Sequence, residues 1–159
     1  MTRQDIEQRA FALHDGGFHC AEAVLLAVTE ACGGLPQGMS PRMATCFGGG
    51  VGRTHADMCG ALAGGLLALG CLRGRDVQGG NWDAAAALAT RYRQGFVERF
   101  GSSVCKDVLA GLGHQVNMDK CKQLSGFTAG LAFALLGEGR VGREGEEVCA
   151  CAALAHNHR

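Results

Sequence analysis

The segment Cys59-Gly60-Ala61-Leu62-Ala63-Gly64 strongly constrains how this chain can fold. If the segment is helical, Gly60 and Gly64 lie one turn apart on the same face. Two glycines at that spacing present almost no side chain, so a second helix can approach closely. The segment therefore predicts a helix that begins at Cys59 and packs tightly against a neighbour.

Helical patterns dominate the rest of the chain, and strand patterns are nearly absent. A capping box at Thr2 predicts a first helix, and Ser40 followed by proline predicts the start of a short one. Apolar residues recur at helical spacing in segments that begin near Cys20, Cys59, Asn81, Cys105 and Asp119. We predict an all-α fold, a compact bundle of about five to seven helices.

The domain organisation predicted from these patterns is simple. Residues 1–136 are expected to form a single helical domain with a redox or metal-binding role. Residues 137–159 carry charged residues and glycines without helical periodicity, followed by cysteines and histidines. We expect this segment to be a linker and a tail.

Charge and hydropathy exclude several classes of partner. Lysine and arginine together number 15 and so do aspartate and glutamate, which predicts no general attraction to nucleic acid or anionic membrane. The N-terminal residues do not resemble a secretory signal, and the apolar runs are too short or too rich in glycine to span a bilayer. We expect a cytoplasmic protein with neither nucleic-acid nor membrane partners.

Nine cysteines are the most informative count in this composition. In a reducing compartment, that many thiols indicate metal, cluster or redox chemistry more than a disulfide scaffold. Several of them are nonetheless expected to be small buried core residues.

Four of the cysteines share a position in the predicted helices. Cys20, Cys59, Cys105 and Cys121 each lie within the first turn or so of a helix. Exposed backbone N–H groups and the positive end of the helix dipole favour a thiolate there, which predicts lowered pKa values. If the four helix starts converge, they would suit an anionic cluster of thiolates, iron and sulfide. Because short helices provide many helix starts, chance placement is the alternative.

These segments resemble the family named for its C–GCAxxG–C–C pattern, whose members are described as redox-active. Residues 17–24 resemble the family's first cysteine segment, 47–52 its glycine run, and 59–64 its signature. Residues 96–105 resemble the third cysteine segment, and Cys121 corresponds to the fourth cysteine. The similarity extends over most of the chain and consists of several motifs in order.

The resemblance implies a cofactor and its ligands. A similar domain in split-Soret cytochromes is associated with an iron–sulfur centre. Carried over to this chain, the resemblance implies a 2Fe–2S cluster held by Cys20, Cys59, Cys105 and Cys121. The chain has no Cys-x-x-Cys-His sequence, so no haem is expected.

Further residues are weaker candidates. Five glycines are predicted to let the backbone approach the centre: Gly48, Gly49, Gly50, Gly60 and Gly64. The glycine run lacks the spacing of a dinucleotide loop, so no nucleotide is expected. Additional metal-binding thiols are predicted at Cys46, Cys149 and Cys151, although a tail without such a role fits the last two equally well. Glu22 is expected to be a surface charge.

Three functions fit these observations. The favoured one is a small redox protein with an iron–sulfur cluster that carries electrons or senses redox state, rather than an enzyme. The second is a thiol–disulfide oxidoreductase in which Cys59 is the reactive thiolate, which selenocysteine in some family members favours. The third is a binding or storage module for soft metals such as Cu(I) or zinc. The sequence does not identify the redox partner, and the pair Gly60 and Gly64 is compatible with a homodimer.

Overall fold

The computed structural model describes residues 1–138, and these form seven helices with no strand longer than a single bridge between Met58 and Val104. The helices are α1 (Arg3–Asp15), α2 (Cys20–Glu30), α3 (Arg42–Thr45), α4 (Gly60–Arg73), α5 (Asp83–Phe100), α6 (Cys105–Leu112) and α7 (Asp119–Glu138). The all-α bundle predicted from the sequence is confirmed.

Helix α7 lies at the centre of the bundle. It packs against α1, α2, α4, α5 and α6, while α2 packs against both α1 and α4. The largest fully buried side chains come from four of these helices: Ile6, Leu25, Leu62, Tyr92 and Phe96. Burial of such side chains supplies the main driving force for folding, about 1.5–3 kcal/mol for each large apolar residue.

Local sequence signals predict most of the helix starts correctly. The Thr2 hydroxyl accepts a hydrogen bond from the Asp5 N–H, and the Asp5 carboxylate accepts one from the Thr2 N–H, so the predicted capping box is present. At the start of α5, the Asn81 side-chain oxygen accepts a hydrogen bond of 2.8 Å from the Asp83 N–H. Helix α7 continues to Glu138, two residues into the predicted linker. The rest of that linker and the tail, including Cys149 and Cys151, lie outside the described residues.

The close approach predicted for α4 occurs within this chain. Gly64 lies against the backbone of Ala21 in α2, and Gly65 lies against the Tyr92 hydroxyl of α5. A Cβ atom at either glycine would overlap those atoms. The homodimer stays a prediction. Gly64 does not support it, because this glycine already packs against Ala21 of the same chain.

Within residues 1–138, no helix combines the length and the apolar character that crossing a membrane requires.

Candidate metal centre

Four thiols from four helix starts line one cavity of about 310 Å³. They belong to Cys20 and Cys105, the first residues of α2 and α6, to Cys59, which directly precedes α4, and to Cys121, the third residue of α7. All four are free thiols, and Cys59 and Cys105 are buried. The structure therefore brings together the four cysteines that the sequence singled out, although their role as ligands stays a prediction.

A short antiparallel pairing aligns the starts of α4 and α6. The Cys59 N–H donates a hydrogen bond of 2.8 Å to the carbonyl oxygen of Ser103, and the Cys105 N–H donates one of 2.8 Å to the carbonyl oxygen of Asp57. These two bonds fix the backbones of both cysteines against each other. Their thiols consequently face the same cavity although 46 positions separate them in the sequence.

The glycine run forms a left-handed turn beside the cavity. The five consecutive residues 49–53 have φ between +59° and +64°. This conformation costs a glycine little but is unfavourable for Val51 and Arg53, which have a Cβ atom. Backbone hydrogen bonds hold the turn, including one of 2.9 Å from the His55 N–H to the Gly49 carbonyl oxygen. The turn places Gly49 and Arg53 in the wall of the cavity.

Two glycines allow close approach to the cysteines, as the sequence predicted. A Cβ atom on Gly50 would lie 2.5 Å from the Cβ of Cys105, and a Cβ atom on Gly60 would lie 2.5 Å from the sulfur of Cys20. Real Cβ atoms do not approach other atoms so closely. Glycine at these positions is therefore required for the observed arrangement of the thiols.

The other predicted glycines differ in their roles. Gly49 lines the cavity, whereas Gly48 lies against the His19 side chain and lines a neighbouring cleft. Gly64, which was predicted to contact the cofactor, does not line the cavity, because its open side faces the Ala21 backbone. Gly64 instead sets the distance between α2 and α4.

The thiols of the centre have raised pKa values. Burial, together with the nearby Cys20 thiol, raises the pKa of Cys59 to about 12. Burial, together with Cys20 and Cys121, raises the pKa of Cys105 to about 11. The prediction of lowered pKa values is therefore wrong for these cysteines. Backbone N–H groups do act in the predicted direction on Cys20 and Cys59, but burial outweighs them.

Comparison with known protein families identifies the family of this chain. Residues 18–135 match the family model described as "Putative redox-active protein (C_GCAxxG_C_C)". The chain belongs to this family. Membership supports a redox role for the C_GCAxxG_C_C protein, and the matched region contains all four cysteines of the cavity. Neither a curated protein nor a solved structure matches the chain.

Cationic and imidazole side chains complete the polar part of the cavity wall in this C_GCAxxG_C_C protein. They belong to His14, His19, Arg53 and His55. The Nδ1 atom of His14 lies 2.9 Å from the Ser125 hydroxyl, and burial lowers the pKa of His14 to about 4. His14 is therefore a neutral hydrogen-bonding group near pH 7.

Sequence reasoning missed Arg53 and Gln115 at the centre. Arg53 reaches the cavity only because residues 49–53 turn left-handed, and no local periodicity predicts this for an arginine. Gln115 lies in the loop before α7, where its side chain accepts a hydrogen bond of 3.0 Å from the Cys121 N–H and donates one of 3.3 Å to the Cys121 sulfur. A glutamine six residues before a candidate cysteine was the only signal available.

Glu22 is buried, so the expectation of a surface charge is wrong. Its carboxylate accepts a hydrogen bond of 2.5 Å from the Thr45 hydroxyl and one of 2.9 Å from the His19 N–H. These bonds satisfy the buried charge. They also connect α3 to the start of α2, beside Cys20.

The remaining cysteines of the described region lie outside the cavity wall. Cys46 is exposed and lines the neighbouring cleft, which shares His19 and Arg53 with the thiol cavity. Cys32 is buried in the core. The Cys71 sulfur lies 3.8 Å from the Met39 sulfur. Across residues 1–138, no group of three or more His, Cys, Asp or Glu side chains is arranged to hold a metal ion.

We expect Cys59 to resist alkylation in the folded chain without a bound metal. With a pKa of about 12 instead of the usual 9.0, its thiolate fraction at about pH 8 is roughly a thousandfold lower than that of an ordinary thiol. Because the pKa is raised, labelling should accelerate as the pH rises towards 12. Iodoacetamide labelling followed by peptide mass spectrometry measures the rate, with the exposed Cys46 as the internal standard. Labelling of Cys59 as fast as Cys46 near pH 8 would contradict the prediction.

Proposed function

We propose that this protein is a small cytoplasmic redox protein that holds a 2Fe–2S cluster through Cys20, Cys59, Cys105 and Cys121. The cluster would serve electron transfer or redox sensing. The observation that carries the proposal is the position of four free thiols, from four different helices, in the wall of one cavity.

The donor set has the chemistry that such a cluster needs. Four cysteine thiolates are the usual ligands of a 2Fe–2S cluster. Iron and sulfide bind thiolates, so assembly would release the protons that burial holds on these sulfurs. When bound, the cluster would supply a one-electron redox couple.

The surrounding residues are suited to tune such a centre. The Gln115 side chain donates a hydrogen bond to the Cys121 sulfur, and backbone N–H groups of Gly49 and Ala21 favour the thiolate form of Cys20. Hydrogen bonds to ligand sulfur raise the reduction potential of iron–sulfur centres. Arg53 also lines the cavity, and its positive charge has the sign that would offset the negative charge of four thiolates.

Apolar side chains limit the access of water to the centre. Val108 and Leu109 of α6 and Leu124 of α7 line the same cavity. A lower local dielectric and fewer solvent molecules strengthen the electrostatic effect of the donors on the sulfurs. The chain's own residues thus bind, orient and shield the proposed cofactor.

The proposal is tested on protein purified under nitrogen. We expect visible absorption from sulfur-to-iron charge transfer, and about two iron and two sulfide per chain, which is the composition of a 2Fe–2S centre. Reconstitution of the apoprotein with iron and sulfide should restore the spectrum. Protein that stays colourless after anaerobic reconstitution would overturn the proposal.

A soft-metal site is the second candidate, because the same four-thiol wall is a ligand set that zinc and Cu(I) also use. Measuring zinc and copper in the same preparation distinguishes it from a cluster. Stoichiometric zinc without sulfide would favour this candidate. The oxidoreductase alternative is less well supported, because the raised pKa of Cys59 lowers the fraction of reactive thiolate at this residue.

A further inference from the structure

A second cavity, of about 290 Å³, lies between α5, α6 and α7. Its wall includes Arg99, Phe100, Leu112, Lys120, Gln123 and Phe127. Its volume is close to the lower end of the range found for small-molecule sites. None of the four candidate ligand cysteines contributes to this wall, so the proposed function leaves the cavity unexplained.

The charge of this wall is positive. Arg99 and Lys120 are its two cations, and none of the residues that line it is acidic. Arg99 forms no salt bridge with any residue in 1–138. The Lys120 ammonium donates one hydrogen bond of 2.7 Å to the Leu112 carbonyl oxygen. Because an ammonium group has three donors, this bond fixes the side chain and leaves donors for a ligand.

Two aromatic rings form the apolar part of the wall. Phe100 and Phe127 meet edge to face, with 5.4 Å between the ring centroids. The Arg99 guanidinium lies over both rings, 5.3 Å and 5.6 Å from their centroids. This contact orients a flat group of hydrogen-bond donors beside an apolar surface. Gln123, a neutral polar residue, lines the same wall.

We propose that this cavity binds a small organic anion with one carboxylate or phosphate group on an aromatic body. The anionic group would pair with Arg99 and Lys120, and the aromatic body would pack against Phe100 and Phe127. An arginine fork suits either anion, because both offer two oxygens to parallel N–H donors.

The position of the cavity relates it to the thiol centre. Leu124 lines both cavities, so one buried side chain contacts both spaces. A ligand in the second cavity would lie next to the wall of the first. Binding of the anion does not require a cluster, so it can be measured on the full chain without metal. Failure of cluster assembly would therefore not contradict this inference.

Nuclear magnetic resonance titration of the full chain with benzoate and with phenyl phosphate tests the proposal. We expect saturable shifts of the backbone amide signals of Gly111 and Gln123, and much weaker effects from neutral benzyl alcohol. Arg99→Gln should weaken binding about tenfold or more, as expected for the loss of a charged hydrogen-bonding partner. Arg91→Gln is the matched control, because Arg91 lies on the same helix and pairs with Glu138 instead.

Two comparisons test the proposed site: Arg99→Gln against Arg91→Gln, and the two anions against benzyl alcohol. Weaker binding in Arg99→Gln with unchanged binding in Arg91→Gln supports the site, and a similar loss in Lys120→Gln strengthens it. If benzoate and phenyl phosphate give no saturable shifts, the proposal is overturned. Equal losses in the Arg99 and Arg91 variants, or equal binding of benzyl alcohol, would also overturn it, because neither result requires recognition of an anion by Arg99.

Discussion

Replacing Cys59 with serine is expected to reduce the iron and sulfide bound after reconstitution to less than about a tenth of the wild-type content. A serine hydroxyl is a hard, weakly acidic ligand that competes poorly for a centre built from soft thiolates. Cys59 is 6% exposed and contributes to the same cavity wall as Cys20, Cys105 and Cys121, so no solvent-exposed group can readily replace it. Iron and sulfide analysis and the visible spectrum measure the loss.

Cys71→Ser is the matched control for this experiment. Cys71 belongs to the same helix as the Cys59 segment, but lies 12 residues further along the chain and outside the cavity wall. The control should retain the wild-type iron content, and thermal melting of both variants verifies that each is folded. If Cys59→Ser keeps its iron, or if Cys71→Ser loses as much, the four-cysteine assignment fails.

The parts of the fold that local sequence determines were predictable. The capping box at Thr2 and the helical spacing of Tyr92 and Phe96 depend on residues within one or two turns, and the structure has both features. The positions of the cysteines at helix starts were equally predictable. The preceding helices α1 and α5 end a few residues before Cys20 and Cys105.

The electrostatics of the centre were not predictable from the same signals. A helix start lowers the pKa of an exposed thiol, but the sequence does not give the depth at which four helix ends meet. Burial reverses the direction for Cys59 and Cys105. The burial of Glu22 was missed for the same reason, because the Thr45 hydroxyl that donates a hydrogen bond to it lies 23 residues away in the sequence.

The backbone conformation around the centre could not be predicted from local sequence either. Val51 and Arg53 have φ values that residues with a Cβ atom rarely adopt, and only the surrounding contacts hold them there. The pairing of Cys59 with Ser103 and of Cys105 with Asp57 is too short to give an alternating strand pattern. The sequence therefore predicted which four cysteines lie at helix starts, whereas tertiary contacts bring them to one cavity and determine how they face one another.

Gly64→Ala is expected to destabilise the protein by about 3 kcal/mol. The new Cβ atom would overlap the backbone carbonyl of Ala21 in α2, and neither backbone can move without separating α2 from α4. For a domain of this size, the loss corresponds to a fall in melting temperature of roughly 6–12 °C. Since α2 carries Cys20 and α4 follows Cys59, the iron bound at the proposed centre should fall as well. Calorimetry and iron analysis measure the two effects.

Gly70→Ala provides the comparison that isolates this contact. Gly70 lies in the same helix, is exposed, and has no atom within 4 Å of the position that a Cβ would occupy. Alanine should therefore stabilise the helix at Gly70 by up to about 1 kcal/mol. Both substitutions share this gain in helix propensity, so the difference between their melting temperatures reports the helix contact alone. A Gly64→Ala protein that melts as high as Gly70→Ala would mean that α2 and α4 can separate at no cost, and that Gly64 does not hold Cys20 and Cys59 at their observed distance.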